Sequence, residues 1–160
     1  MKKIIAILLS LLLFGAVGCA SDGDPSGEEP SDKDTFPNAY AQQAYEQLSL
    51  MDTYFRKDGG MLSDNSASGG TATLWTYGAY FTAVAKYLKV CPENKSAAAL
   101  ADTALEELEW YKCEGKDAYA SDNGKERPVF FDDNAWLVYG LLEMYAARKD
   151  EALLDKAEQV

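Results

Sequence analysis

An all-α fold with its helices in two concentric rings, outer around inner, is what this sequence predicts from Phe36 onward. Three observations predict it. Apolar residues recur at spacings of three and four in five segments. Segments with one apolar face alternate with segments almost free of charge. The connections between them alternate between long and short. An outer helix shows one face to water and an inner helix is packed on several sides, so two rings need this alternation.

The first helix is expected over about residues 38–56. Tyr40, Ala44, Leu48, Met51 and Phe55 form its apolar face, and Gln42, Gln43, Glu46 and Gln47 interrupt it. The second is expected over about residues 73–90. Residues 74–85 carry no charge at all, which marks a buried helix, and Pro92 and Asn94 punctuate its end. The third runs over about residues 96–112 with Ser96 as N-cap. Ala97, Ala101, Ala104, Leu105 and Leu108 form one face, with Asp102, Glu106, Glu107 and Glu109 opposite. The fourth runs over about residues 133–148, where residues 135–147 hold a single charge, Glu143, and read as a second buried helix. A fifth, amphipathic through Ala152, Leu153, Ala157 and Val160, begins near Glu151.

Trp75 and Trp136 stand at the starts of the two buried segments, 61 positions apart. Gly-rich turns precede both, Asp58-Gly59-Gly60 and Ser121-Asp122-Asn123-Gly124. This reads as a weak repeat of one outer–inner hairpin. The outer-to-inner links, about residues 57–72 and 113–131, are long. The inner-to-outer links near Pro92 and Asp150 are short. Antiparallel hairpins gather the long links at one rim, where the buried helices start and where a site is expected. A plain helical bundle or a solenoid is the alternative architecture.

The segment before Phe36 is for export. Lys2 and Lys3 precede an apolar run from Ile4, and small residues lead to Cys19, the order of a secretory signal. The run to Gly18 is too short to span a bilayer comfortably. Ala16-Val17-Gly18-Cys19 resembles a bacterial lipobox, so residues 1–18 are expected to be removed and Cys19 acylated. An ordinary cleaved signal with an incidental Cys is the alternative. Residues 19–35, rich in Gly, Pro, Ser, Asp and Glu, read as a disordered tether. Asp22 and Asp24 resemble the acidic surface-export signal of Bacteroidetes lipoproteins. The expected location is the outer membrane or cell surface of a Gram-negative bacterium, with the lipid as the membrane contact.

Composition narrows the chemistry. The 160 residues suit one domain, and 48% hydrophobic with 26% charged is ordinary for a globular chain. A net charge of −11 disfavours nucleic acid, whose phosphates are bound by Lys and Arg. With no histidine in the chain, Ser-His-Asp and Cys-His catalysis are excluded, as are His-based zinc sites. Acid–base chemistry falls to carboxylates, Tyr, Lys or Cys. No metal motif and no cofactor motif stands out; Asp64-Asn65 and Asp122-Asn123 read as turns. Cys91 and Cys113 end successive helices, about 25 Å apart along an intact third helix. That is beyond disulfide reach, so both read as free or buried thiols.

The richest segment is Phe131-Asp132-Asp133-Asn134-Ala135-Trp136. Two aspartates at a helix start serve as caps and meet the positive end of the dipole. They also suit a retaining glycosidase, in which two carboxyl groups stand about 5–5.5 Å apart. In that case one stays ionised as nucleophile, and its charge, with aromatic burial, raises the pKa of the other. Trp75, Tyr77, Tyr119 and Trp136 could offer rings to a sugar, but aromatic residues at buried-helix starts are expected to pack in the core.

This segment resembles the catalytic segment of glycoside hydrolase family 76, the endo-α-1,6-mannanases. Residues 74–80, Leu-Trp-Thr-Tyr-Gly-Ala-Tyr, through Lys86-Tyr87-Leu88 are similar to that family's first inner helix. The resemblance covers about residues 36–160 and implies an (α/α)6 toroid. It further implies endo-hydrolysis of α-1,6-linked mannan with retention, Asp132 as nucleophile and Asp133 as general acid/base. About two and a half of six hairpins are expected in this chain, since closure at the repeat length needs roughly 370 residues. The chain is therefore expected to be an N-terminal part of such a domain, with its activity reduced or absent. Two alternatives stand beside this. One is another α-toroid sugar enzyme, an unsaturated-glucuronyl hydrolase or an epimerase. The other is a non-catalytic glycan-binding or structural surface lipoprotein.

Overall fold

The computed structural model of the chain describes residues 36–56, 60–67, 70–122 and 127–160. The predicted export signal, Cys19 and the tether lie outside these residues. So does part of each Gly-rich turn.

Among the described residues there are five α-helices: α1 (Ala39–Phe55), α2 (Leu74–Val90), α3 (Lys95–Leu108), α4 (Phe131–Arg148) and α5 (Glu151–Gln159). A 3-10 turn, Glu109–Tyr111, extends α3. The all-α prediction therefore holds. Three helix starts are fixed by side chains that accept a free first-turn N–H. Asn38 accepts from Ala41 at 2.9 Å, Asn94 from Ala97 at 2.8 Å, and Asp150 from Ala152 at 3.0 Å. Asn94, not Ser96, caps α3, so the residue read as ending one helix in fact starts the next. α4 begins at Phe131, two residues before the expected Asp133. It ends on Lys149 in the left-handed conformation.

Each helix packs on its chain neighbour except across the long loop from α3 to α4, and the largest interface joins α2 to α4. α2 is the most enclosed element, with α1, α3 and α4 around it and both Tyr77 and Phe81 wholly buried. Its charge-free run over residues 74–85 leaves no charged face to solvate there, and its two charges, Lys86 and Lys89, come in the last turns. α1, α3 and α5 each bury one face: Ala41 and Leu48, then Ala97, Ala101, Ala104 and Leu108, then Leu153 and Ala157. Tyr40, expected on the inner face of α1, is exposed; Ala41 takes that place. One continuous core joins all five helices with Met61, Leu62, Ala72 and Tyr119 from the loops. Cys91 and Cys113 are buried and unbridged.

The close approach of α4 to α2 depends on Gly140. A Cβ there would lie 2.7 Å from the Phe81 ring and 2.9 Å from Thr82 Oγ1. At Gly78 the nearest atom to an added Cβ is Trp136 Cβ, at 3.9 Å, an ordinary contact. The two glycines should therefore respond with opposite signs. Gly140→Val is expected to cost about 1–3 kcal/mol through overpacking. Gly78→Ala should gain up to about 1 kcal/mol from helix propensity. Urea melts of the two variants measure this, and destabilisation of equal size in both would remove the close-approach argument.

α4 is less enclosed than its sequence suggests. Its second face, through Phe131, Trp136, Tyr139 and Leu142, is exposed. Among the described residues no helix is long and apolar enough to cross a membrane.

Candidate functional site

Both long loops run to the starts of α2 and α4, at one end of the molecule. The Leu74 N–H at the start of α2 donates to the Ser121 carbonyl at 2.7 Å. The Ser121 N–H in turn donates to the Pro128 carbonyl at 2.6 Å, just before α4. The first loop is held by a buried carboxylate. Glu107 accepts from the Leu62 N–H and from Arg56 Nη1, the latter at 3.0 Å. Arg56 Nε also pairs with Asp52 at 2.6 Å. Burial pushes the Glu107 carboxyl upward in pKa, against the Leu62 N–H and the guanidinium that pull it down. The sequence pattern puts Glu107 on the solvent face of its helix, and the structure buries it. Its spacing of three from Ala104, beside Leu108, was the signal for the opposite. The Tyr111 hydroxyl completes the tie by donating to the Ala72 carbonyl at 2.7 Å.

Asp132 and Asp133 lie in the first turn of α4, at this rim. They are unlike one another. Asp132 is exposed and accepts the Asp133 N–H at 3.1 Å. Asp133 is buried, 5% exposed, and its Oδ2 has no hydrogen-bond partner among the described residues. Neither is the N-cap: that place belongs to Phe130, which makes no side-chain cap. Burial pushes the Asp133 carboxyl up in pKa; a hydrogen bond from the Ser121 side chain opposes this, and the Asp132 charge adds to it. The expected direction is therefore present, with burial ahead of the neighbouring charge as its cause.

The aromatic residues divide differently from expectation. Tyr77 and Tyr119 are core, as read from the sequence. Trp75 and Trp136 are half exposed, at 50% and 44%, and meet edge to face at 6.0 Å. Both had been assigned to the core. They are exposed because α4 has no helix on its second side among the described residues. Tyr139 continues the row beside Trp136 at 6.2 Å, with Lys86 Nζ 5.1 Å from its ring centre. Phe130 and Phe131 are exposed next to the aspartates.

Asn134 was missed as a contributor. Its buried amide accepts the Tyr119 N–H and donates to the carbonyls of Tyr119 and Phe130, each at 2.9 Å. A lone Asn after two Asp carries no sequence signal for a contact 15 positions away. Asn65 accepts the Ala67 N–H at 3.1 Å, a turn as expected, whereas Asp64 reaches nine residues along the chain to accept the Thr73 N–H at 3.1 Å at the start of α2. Among the described residues no cluster of three or more carboxylates and cysteines is placed to hold a metal. A shallow recess lined by Leu88, Pro92, Ala98, Asp102, Ala147, Arg148 and Asp150 lies at the opposite end of α4 from the aspartates.

A raised folded-state pKa at Asp133 fixes the sign of its effect on stability. The folded state holds the Asp133 proton more tightly than the unfolded chain does. Its favourable contribution is complete below the unfolded pKa and is lost as pH rises through the folded pKa. Asp133→Asn should thus stabilise the fold at neutral pH, on the order of 1 kcal/mol, and flatten this part of the pH profile. Attraction to the helix dipole acts the other way. Melts of both forms across the acid-to-neutral range test this. Lower stability of the variant at neutral pH would return Asp133 to the role of a helix-start charge.

No family model matches the chain, and no curated protein or solved structure matches it.

Proposed function

We propose that this chain carries the carboxylate pair of a retaining glycoside hydrolase of the α-toroid type, acting within α-1,6-linked mannan. The observation that carries the proposal is the inequality of Asp132 and Asp133. An exposed carboxylate stands next to a buried carboxyl whose pKa is raised, on adjacent residues at a rim built by two long loops. Divided environments of this kind separate a nucleophile from a proton donor. In the proposed reaction a carboxylate oxygen of Asp132 bonds to the anomeric carbon as the glycosidic C–O bond breaks. The Asp133 proton passes to the departing oxygen. Water then attacks the anomeric carbon, gives its proton to Asp133 and releases Asp132. The inner pair α2 and α4, flanked by α1, α3 and α5, suits an arc of a double ring, and we place the chain in that architecture.

The test is product stereochemistry. NMR of α-1,6-mannan digests in the first minutes should show the α anomer first, the outcome for a nucleophile and acid about 5–5.5 Å apart. A first-formed β product would overturn the mechanism. Cleavage of uronic-acid polymers with none of mannan would favour a different sugar enzyme. Glycan binding without any product would favour a non-catalytic surface protein.

The proposed location is the bacterial surface, through a lipid on Cys19. A fatty-acid analogue fed to expressing cells should label the wild type and not Cys19→Ser. Equal labelling of the two removes the anchor.

A further inference from the structure

The outward side of α4 is the reverse of a solvated helix face. Leu137, Gly140, Leu141 and Met144 bury the inward side, so the outward side should be polar. It is instead a row in alternating steps of three and four: Asp132, Ala135, Tyr139, Leu142, Ala146 and Lys149. That spacing is the seam of a helix packed along another helix. Tyr139 is 38% and Leu142 41% exposed, and Asp132, Ala135 and Lys149 are exposed as well. Glu143, beside the row, is already paired with Lys89 at 3.2 Å. The row has a symmetry that specifies its partner. Turned end over end about a point between Gly140 and Leu141, it maps onto itself: Asp132 falls opposite Lys149, Ala135 opposite Ala146, and Tyr139 opposite Leu142. Lys149 is the C-cap of α4. Its ammonium lies 5.8 Å from the Tyr145 ring centre and is in no ion pair among the described residues.

We propose that the outward face of α4 binds a second copy of this chain, α4 against α4 in antiparallel register about a two-fold axis between Gly140 and Leu141. A two-fold contact must be self-complementary, and this row is. Each acid at a helix start meets a base at the other helix's end, twice per dimer, and the helix dipoles oppose. The alanine pairs let the backbones approach, and the Tyr139–Leu142 pairs fill the centre. A parallel pairing would instead set Asp132 on Asp132 and Lys149 on Lys149. The proposal goes beyond the hydrolase reading and does not rest on it. The pairing covers Asp132, so the dimer is a closed form of the candidate site, and the proposed cleavage belongs to the single chain.

Sedimentation velocity on the full chain carrying Cys19→Ser, which removes the predicted lipid, should show a dimer at tens of micromolar. Leu142→Glu should weaken it about a hundredfold, the scale of a central interface residue present twice. Asp132→Lys should weaken it about tenfold by setting lysine against lysine, and adding Lys149→Asp should restore it. A monomer at every soluble concentration, or a dimer indifferent to Leu142→Glu, overturns the proposal. Disulfide trapping reads the register. Ala135→Cys and Ala146→Cys together in one chain should oxidise to a covalent dimer. The two positions are eleven residues apart, about 16 Å along the helix, so they cannot bridge within one chain. Either variant alone should stay a single chain on a non-reducing gel. Cross-linking of one of them with itself marks a parallel pairing and overturns the register. Mannan cleavage enters neither readout, so the dimer and the hydrolase can fail separately.

Discussion

In a protein that carries this segment within a closed ring, Asp132→Asn is expected to lower α-1,6-mannan cleavage by about 10⁴-fold or more, since the amide cannot form the glycosyl ester on which the second step depends. Asp132 is the exposed member of the pair, so the sugar reaches it without rearrangement of the fold. Asp133→Asn should cost about 10²–10⁴-fold, the usual worth of a positioned acid. The two losses differ in kind. A substrate with a good leaving group needs little protonation, so it should restore much of the rate to the Asp133 variant and none to the Asp132 variant. Initial rates with mannan and with an activated aryl mannoside separate these outcomes. Full activity in either variant would falsify the assignment and leave both residues as first-turn charges.

Glu107→Ala should give the largest loss of stability. The Glu107 side chain is 3% exposed and that of Arg56 15%, so truncation leaves the Leu62 N–H unpaired and the half-buried guanidinium with Asp52 as its remaining carboxylate. Breaking a buried pair from one side costs about 3–5 kcal/mol, a large part of a typical domain's total of about 5–15 kcal/mol. Glu107→Gln, which keeps an acceptor for the N–H, should cost less. Thermal melts rank the three proteins. Equal melting temperatures would mean that the pair merely offsets its own desolvation.

The helices were legible because their signals are local. Caps, spacing and the charge-free run of α2 all act within a turn or two, and all five helices are where the pattern places them. The gathering of the long loops was legible too, since it follows from hairpin geometry alone. What failed were judgements about partners. Trp75 and Trp136 were assigned to a core, and whether a ring is covered depends on which element lies across from it. Glu107 was assigned to solvent because a carboxylate on a mostly polar face is normally there; a guanidinium from the end of α1 reverses that. At the candidate site the acidic pair was plain in the sequence. Its division into a buried and an exposed member was not, because burial of Asp133 is imposed by a loop that begins some 20 positions earlier.

The α2–α4 interface has a consequence for how the chain acquires its shape. Its members are not neighbours in sequence: Phe81 and Gly140 lie on opposite sides of α3 and a long loop. The α1–α2 and α2–α3 hairpins can form from nearby chain, but the largest interface must wait for a closure over about 60 residues, with its entropic cost met before its contacts repay it. During synthesis at about 5–20 residues per second, α2 therefore spends several seconds with one apolar side uncovered. Its charge-free run over residues 74–85, which lets it sit enclosed in the finished protein, makes it the segment most dependent on assistance while the chain is still growing.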